Sequence, residues 1–167
     1  MPQADHTRPE FRVGIGYDSH RFGPGDAVLL GGVRIPAAAS LVGHSDADAV
    51  AHAITDAILG ASALGDIGAL FPDTDVENKN RDSIEMLGVA AGMVRAAGWT
   101  VTNVDVTVVC ETPNIARARE AMRQTLAVAL DVALDVIWVK GKTNERMGWV
   151  GRGEGIAVIA VASLARG

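Results

Sequence analysis

The sequence predicts an α/β chain of the α+β kind: a mixed β-sheet with helices packed on one face. Three observations point there. Segments with strand and helix patterning alternate loosely along the chain, with no internal repeat and no interdomain linker. At 167 residues the chain suits one domain with a proper core. Hydrophobic residues make up 49% of it but aromatic ones only 4%, so Ala, Val, Ile and Leu must build the interior.

Residues 1–11 are mostly polar and mixed in charge, with two prolines, and are expected to be a disordered tail; residues 12–167 then form a single domain. Arg12 to Tyr17 reads as a first strand. Ala27–Leu30 and Val33–Ile35 read as a hairpin whose tight turn is Gly31-Gly32. A helix is expected from Ser45 to about Ser62, with Ser45 and Asp48 in the spacing of a capping box. Its apolar stripe is Val50, Ile54, Ala57, Ile58 and Ala61. A second stripe carries Asp48, His52 and Asp56, and His52 lies about 160° from Ile54 around the helix.

Gly65–Asp75 is rich in glycine, proline and aspartate and reads as a loop; on their own Asp66 and Asp73 are turn residues. Ser83–Ala97 reads as a second helix with Gly98 just past its end, and Trp99–Glu111 as a long strand with Val104, Val106 and Val108 on one face. A third helix is expected over Ile115–Leu130, a short strand over Val136–Val139 and a long one over Gly153–Ala162. The second half of that last strand is apolar on both sides, so both faces should be covered. A one-sided helical layer can meet that need by association with further copies.

A net charge of −5 argues against a nucleic-acid surface, and no apolar run approaches the roughly 20 residues of a membrane span. The first residues lack the apolar core of a secretion signal, and a cytoplasmic location is expected. The one cysteine, Cys110, excludes an internal disulfide and reads as a small buried hydrophobe. Gly151-Arg152-Gly153-Glu154-Gly155 has neither dinucleotide nor P-loop spacing and leads into a strand, so it is not read as a phosphate loop.

The chemistry points to Asp18-Ser19-His20 at the end of the first strand. In an extended segment Asp18 and His20 project from the same side. A carboxylate and two imidazoles, with His52 arriving from the helix, suit a tetrahedral zinc with one open position, which is the catalytic pattern.

Four separated motifs carry a resemblance. Gly14–Phe22, Gly43–His52, Leu64–Gly68 with Phe71–Asp75, and Gly151–Ala157 are together similar to the 2-C-methyl-D-erythritol 2,4-cyclodiphosphate synthases of the non-mevalonate isoprenoid route, from about Arg12 to the C-terminus. The resemblance implies a metal-dependent phosphorus–oxygen lyase. The 2-phosphate of 4-diphosphocytidyl-2-C-methyl-D-erythritol 2-phosphate attacks the β-phosphorus, the cyclic 2,4-diphosphate forms and CMP leaves. It also implies a homotrimer whose sheets surround an apolar channel, with active sites between subunits. Asp18, His20 and His52 would hold Zn2+, and Glu145 a second ion, Mg2+ or Mn2+; alone, Glu145 reads as a solvated surface charge. His44 and Thr143 would orient phosphate and stabilise the transition state, with Ser45 adding a hydroxyl. His44 read by itself is an ordinary loop histidine.

The resemblance further assigns Asp66, Ile67, Gly68, Phe71, Pro72, Asp73, Thr74 and Asp75 to the methylerythritol portion. The cytidine would sit on Cys110, Glu111, Thr112, Pro113, Asn114, Ile115 and Ala116, mostly through backbone groups. The chain departs from the family at Asn114, where lysine is common, at Lys142 and Asn144 beside Glu145, and at Trp149, which replaces a phenylalanine. Lys142 is expected to return the charge lost at Asn114. Arg152, at the start of the last strand, matches an arginine that can hold an isoprenoid diphosphate in the channel. A zinc-dependent phosphohydrolase and a non-catalytic trimeric isoprenoid binder are the competing readings, separated from the synthase by product analysis and by metal retention.

Overall fold

The computed structural model describes residues 10–72, 74–78 and 80–166. Asp73 and most of the expected N-terminal tail lie outside these residues. Strand β1 (Glu10–Gly23) starts two residues earlier and runs six further than the sequence pattern suggests, because it pairs antiparallel with β7 (Gly155–Arg166) from Glu10↔Arg166 to Arg21↔Gly155. Asp18 and His20 are therefore strand residues. Strands β2 (Ala27–Leu30) and β3 (Val33–Pro36) form the expected hairpin, and both turn glycines have positive φ, 56° and 73°. With the two-residue β4 (Ser40–Leu41), β5 (Thr100–Val109) and β6 (Ile137–Lys142), the main sheet has the order β4-β1-β7-β5-β6. It is mixed: β5 and β6 are parallel and the other pairs antiparallel.

Helix α1 (Ala49–Ser62) begins four residues later than expected. Ala47 has φ 61°, which a helix cannot pass through, and the cap is Asp48, not Ser45. The Asp48 side chain accepts N–H bonds from Val50 and Ala51 of the helix and from Gly31 and Gly32 of the hairpin turn. It is fully buried, so the second stripe of α1 is not a solvated face. Burial pushes its carboxyl up, against the backbone donors that hold its charge.

The expected loop after α1 contains a single-turn helix α2 (Ile67–Leu70), capped by Asp66, and a 3-10 turn at Val76–Asn78. Helix α3 (Ser83–Ala96) is close to expectation. The third helix divides into a 3-10 turn, Ile115–Arg117, and α4 (Arg119–Leu130). A short helix α5 (Gly148–Gly151) precedes β7, which starts two residues later than expected and ends four later.

Helices α1, α3 and α4 cover one sheet face, and Val104, Val106, Val108, Ile156, Val158, Ala160, Ala162 and Leu164 are buried beneath them. Helix α1 crosses β1 at backbone contact. A Cβ on Gly14 would stand 2.0 Å from the Ala57 carbonyl oxygen, and one on Gly16 only 1.8 Å from that of Ala53. Within one chain the other face is open, so the covering expected for the second face of the last strand would need further copies. Phe11, Val13 and Ile15 are each 70% exposed, Tyr17 57% and Ile159 39%.

Candidate active site

The close approach of α1 to β1 brings His52 over the end of β1 where Asp18 and His20 project. His52 Nδ1 lies 2.9 Å from Asp18 Oδ2, and His20 Nδ1 lies 3.1 Å from the same oxygen. One ligating atom from each of the three residues can be chosen so that all lie within 4.8 Å of one another. His20 Nδ1 is buried and makes no well-formed hydrogen bond, although Asp18 Oδ2 is within ion-pair distance. A buried nitrogen without a partner beside a carboxylate and a second imidazole fits a bound cation. Burial alone would push the Asp18 carboxyl up, but the His20 and His52 imidazoles beside it outweigh this and hold it down to about 2. For His52, burial favours the neutral ring, but the hydrogen bond to Asp18 and that charge raise its pKa overall.

On its far side His52 Nε2 is 2.8 Å from Ser83 Oγ and 3.0 Å from Ser45 Oγ. A cavity of about 240 Å³ opens at this cluster, lined by Asp18, His20, His44, Ser45, His52, Ile67, Gly68, Phe71, Asn78 and Met86. Asp56, on the same stripe of α1 as His52, accepts the Ile67 N–H at 2.8 Å and so seats α2 at the rim. Phe71 is buried, with the Arg81 guanidinium 4.9 Å from its ring centroid. Pro72, Thr74 and Asp75 are exposed and do not line the cavity.

A second cavity of about 220 Å³ lies at the ends of β5 and β6, lined by Cys110, Glu111, Pro113, Asn114, Ile115, Ala116, Arg119, Gly141, Lys142 and Thr143. Thr112 is not on its wall but is joined to Pro113 by a cis peptide bond. Burial pushes the Cys110 thiol up to about 11, which leaves it unreactive. Glu145 stands beside this cavity. Thr143 Oγ1 donates to its Oε1 at 2.8 Å, and Glu145 and Arg146 both have left-handed φ, 50° and 61°. Glu111 Oε1 holds that turn by accepting the N–H groups of Asn144 at 2.9 Å and Arg146 at 3.2 Å. Arg152 is exposed and pairs with Glu154 at 2.6 Å. Trp149 and Asn144 line neither cavity.

The sequence pattern of the YgbB family matches residues 11–165. The chain belongs to the YgbB family. It is 56% identical over 153 residues to the 2-C-methyl-D-erythritol 2,4-cyclodiphosphate synthase of Gemmatimonas aurantiaca, covering 92% of each chain. Its structure superposes on the bifunctional IspDF of Campylobacter jejuni with a TM-score of 0.92 at 42% identity, covering 96% of this chain but 43% of that longer one. On the CDP complex of IspF from Plasmodium falciparum the TM-score is 0.82 at 33% identity, covering 93% and 96%.

The first cavity thus unites eight residues singled out from sequence: Asp18, His20, His44, Ser45, His52, Ile67, Gly68 and Phe71. The second unites most of the expected nucleotide loop with Lys142 and Thr143. Sequence reasoning missed Asn78, Met86, Ser83, Asp46 and Arg119. Four of these lie outside the motifs singled out from the sequence. Only Asp46, inside the quoted Gly43–His52 segment, carried a usable signal. Asp66 turns its side chain to the Ala69 N–H of α2. No helix among the described residues is long and apolar enough to cross a membrane.

Proposed function

We propose that this protein is a 2-C-methyl-D-erythritol 2,4-cyclodiphosphate synthase. It would close 4-diphosphocytidyl-2-C-methyl-D-erythritol 2-phosphate into the cyclic 2,4-diphosphate with release of CMP. The carrying observation is the Asp18–His20–His52 cluster, with its unpartnered buried nitrogen, opening onto a cavity that also holds His44 and Ser45. The synthase of Gemmatimonas aurantiaca, 56% identical over 92% of each chain, supports the same activity.

Asp18, His20 and His52 would hold Zn2+, and Glu145 a Mg2+ or Mn2+ ion. These ions supply Lewis-acid neutralisation of phosphate charge, which a chain of net charge −5 does not otherwise offer. The substrate carries its own nucleophile, so the protein's work is to fold it and restrain its phosphates. His44 and Ser45 would donate to the phosphates, and Thr143 orients Glu145 through its hydroxyl. Ile67, Gly68 and Phe71 would enclose the methylerythritol portion and exclude water, with Asp66, Pro72, Asp73, Thr74 and Asp75 at its margin. Backbone groups of Cys110–Ala116 would read the cytosine edge, and Lys142 would return the charge absent at Asn114. Trp149 and Asn144 would shape the approach to Glu145.

The two cavities share no lining residue within one chain. One substrate would have to span both. A homotrimer built through the open sheet face, with the nucleotide cavity of one copy meeting the metal cluster of the next, accounts for both facts. The trimer channel would then be apolar, and Arg152 would face any isoprenoid diphosphate held there. This reading includes the cytoplasmic location expected from the sequence.

Phosphorus NMR tests the activity, using the purified protein with substrate, zinc and magnesium. Stoichiometric CMP and a cyclic diphosphate are expected, with at least a hundredfold loss in His52→Ala. Free inorganic phosphate as product would replace the synthase by a phosphohydrolase.

A further inference from the structure

We propose that Ser83 and Asp46 are positioning residues that fix the ring of His52 for metal binding; the inference rests on the zinc reading above. Asp46 is on the loop before α1, and Ser83 is the first residue of α3. The Asp46 carboxylate accepts the Ser83 N–H on Oδ2 at 2.9 Å and the Asp48 N–H on Oδ1 at 3.2 Å. The Ser83 hydroxyl makes a short hydrogen bond to the same Oδ1. An ionised carboxylate only accepts, so the single hydroxyl proton of Ser83 goes to Asp46. Toward His52, 2.8 Å away, Ser83 Oγ can then only accept.

His52 Nε2 must therefore carry a proton. The other ring nitrogen, Nδ1, is left as the atom that faces Asp18 and His20. Without metal, Nδ1 donates its proton to the Asp18 carboxylate at 2.9 Å; a cation would take that proton's place, with the outer N–H already tied to an acceptor, as a ligating imidazole needs. The Ser83 hydroxyl is not spent on its own helix, whose first amides are capped by Asp82. Ser83 is fully buried, so water does not compete for the bond. Ser45 also reaches Nε2, at 3.0 Å, but it is only half-buried and opens onto the cavity. The relay Asp46–Ser83–His52 thus joins the start of α3 to α1 and sets which nitrogen meets the metal.

The test compares zinc affinity, by chelator competition, in the parent, Ser83→Ala, Asp46→Ala and the double variant. It is paired with NMR of the His52 Nε2 proton in the zinc-loaded proteins. Because outer hydrogen-bond partners set ligand basicity and orientation, Ser83→Ala is expected to weaken zinc binding about tenfold or more. The slowly exchanging Nε2 proton should be lost with it. Asp46→Ala should do the same, and the double variant should lose no more than the larger single loss, since both act through one chain of bonds. Zinc affinity within about twofold of the parent in a folded Ser83→Ala, or additive losses, would overturn the relay while leaving the synthase reading intact. A parent that binds no zinc would overturn the relay and the metal assignment together, and CMP release would then judge the activity separately.

Discussion

Asp18 shows how one side chain can be set by two opposing effects. Burial disfavours its charge, yet the two imidazoles hold its carboxyl at about 2 against an ordinary value of 3.8. That difference corresponds to roughly 2 kcal/mol of stability in the metal-free protein, present above pH 3.8 and lost as pH falls toward 2. His52 is shifted upward, so its contribution is complete below its ordinary value of 6.5 and fades as pH rises through its higher folded value. The chelated protein should therefore be most resistant to heat between these limits. Its unfolding midpoint should fall by roughly 2–4 °C per kcal/mol lost as pH rises through that folded value, a slope that Asp18→Asn should reduce, leaving the smaller contributions of Asp48 and Asp46. Zinc-loaded protein should show the opposite trend over that range, because metal competes with protons for the same ligands. Scanning calorimetry at several pH values separates the two. Glu111 invites a second test at this scale. Its carboxylate clamps the amides of Asn144 and Arg146, and so the turn that presents Glu145. Glu111→Ala should lower kcat at least tenfold with zinc uptake unchanged, whereas Glu111→Gln, which keeps an acceptor oxygen, should retain most activity. Equal kcat in the two variants would remove Glu111 from this role.

Between elements, the decisive contact is that of α1 with β1. Gly14 and Gly16 present bare backbone to Ala57 and Ala53, and this depth of approach carries His52 to Asp18. A methyl at Gly16 must drive the helix outward. Gly16→Ala should cost at least the 1–3 kcal/mol typical of overpacking and abolish tight zinc binding. Gly60→Ala, on the same helix but with open space at its Cβ, should be neutral or stabilising by about 0.5–1 kcal/mol. Calorimetry and zinc titration on the pair check both expectations. At the opposite end, Glu10 binds Arg12 and Arg166, and both guanidiniums lie on the ring of the buried Trp99, at 4.6 and 4.4 Å. The first and last strands are tied there, away from the site. On the outer strand β6, Arg119 and Arg123 donate to the carbonyls of Val139 and Ile137, which occupies acceptors that another strand could otherwise pair with.

For the whole molecule, the open sheet face sets the terms. Phe11, Val13, Ile15 and Tyr17 alternate outward along β1, with Ile159 beside Tyr17 on β7. Burying an apolar side chain fully contributes roughly 1.5–3 kcal/mol, so covering this face strongly favours association. Val13→Asp with Ile15→Asp should give a monomer by sedimentation that still binds zinc through its own three ligands and has lost CMP release. A trimer that survives these changes would move the interface elsewhere. Much of this was legible in the sequence. The Asp18/His20 spacing, the polar placement of His52 on its helix and the apolar last strand follow from side-chain periodicity, which depends only on local backbone geometry. Turn glycines placed the hairpin for the same reason. What the tertiary structure decided is different in kind. The cap of α1 moved from Ser45 to Asp48 because Asp48 is shared with a hairpin distant in sequence. Ser83 and Asp46 joined the site because the start of α3 packs beside α1. Within one chain the last strand has helices on one face only, because covering the other takes surface that a single chain does not have. Local pattern specified which atoms could bind a metal. Only packing between distant segments could specify which nitrogen faces it and what holds that nitrogen there.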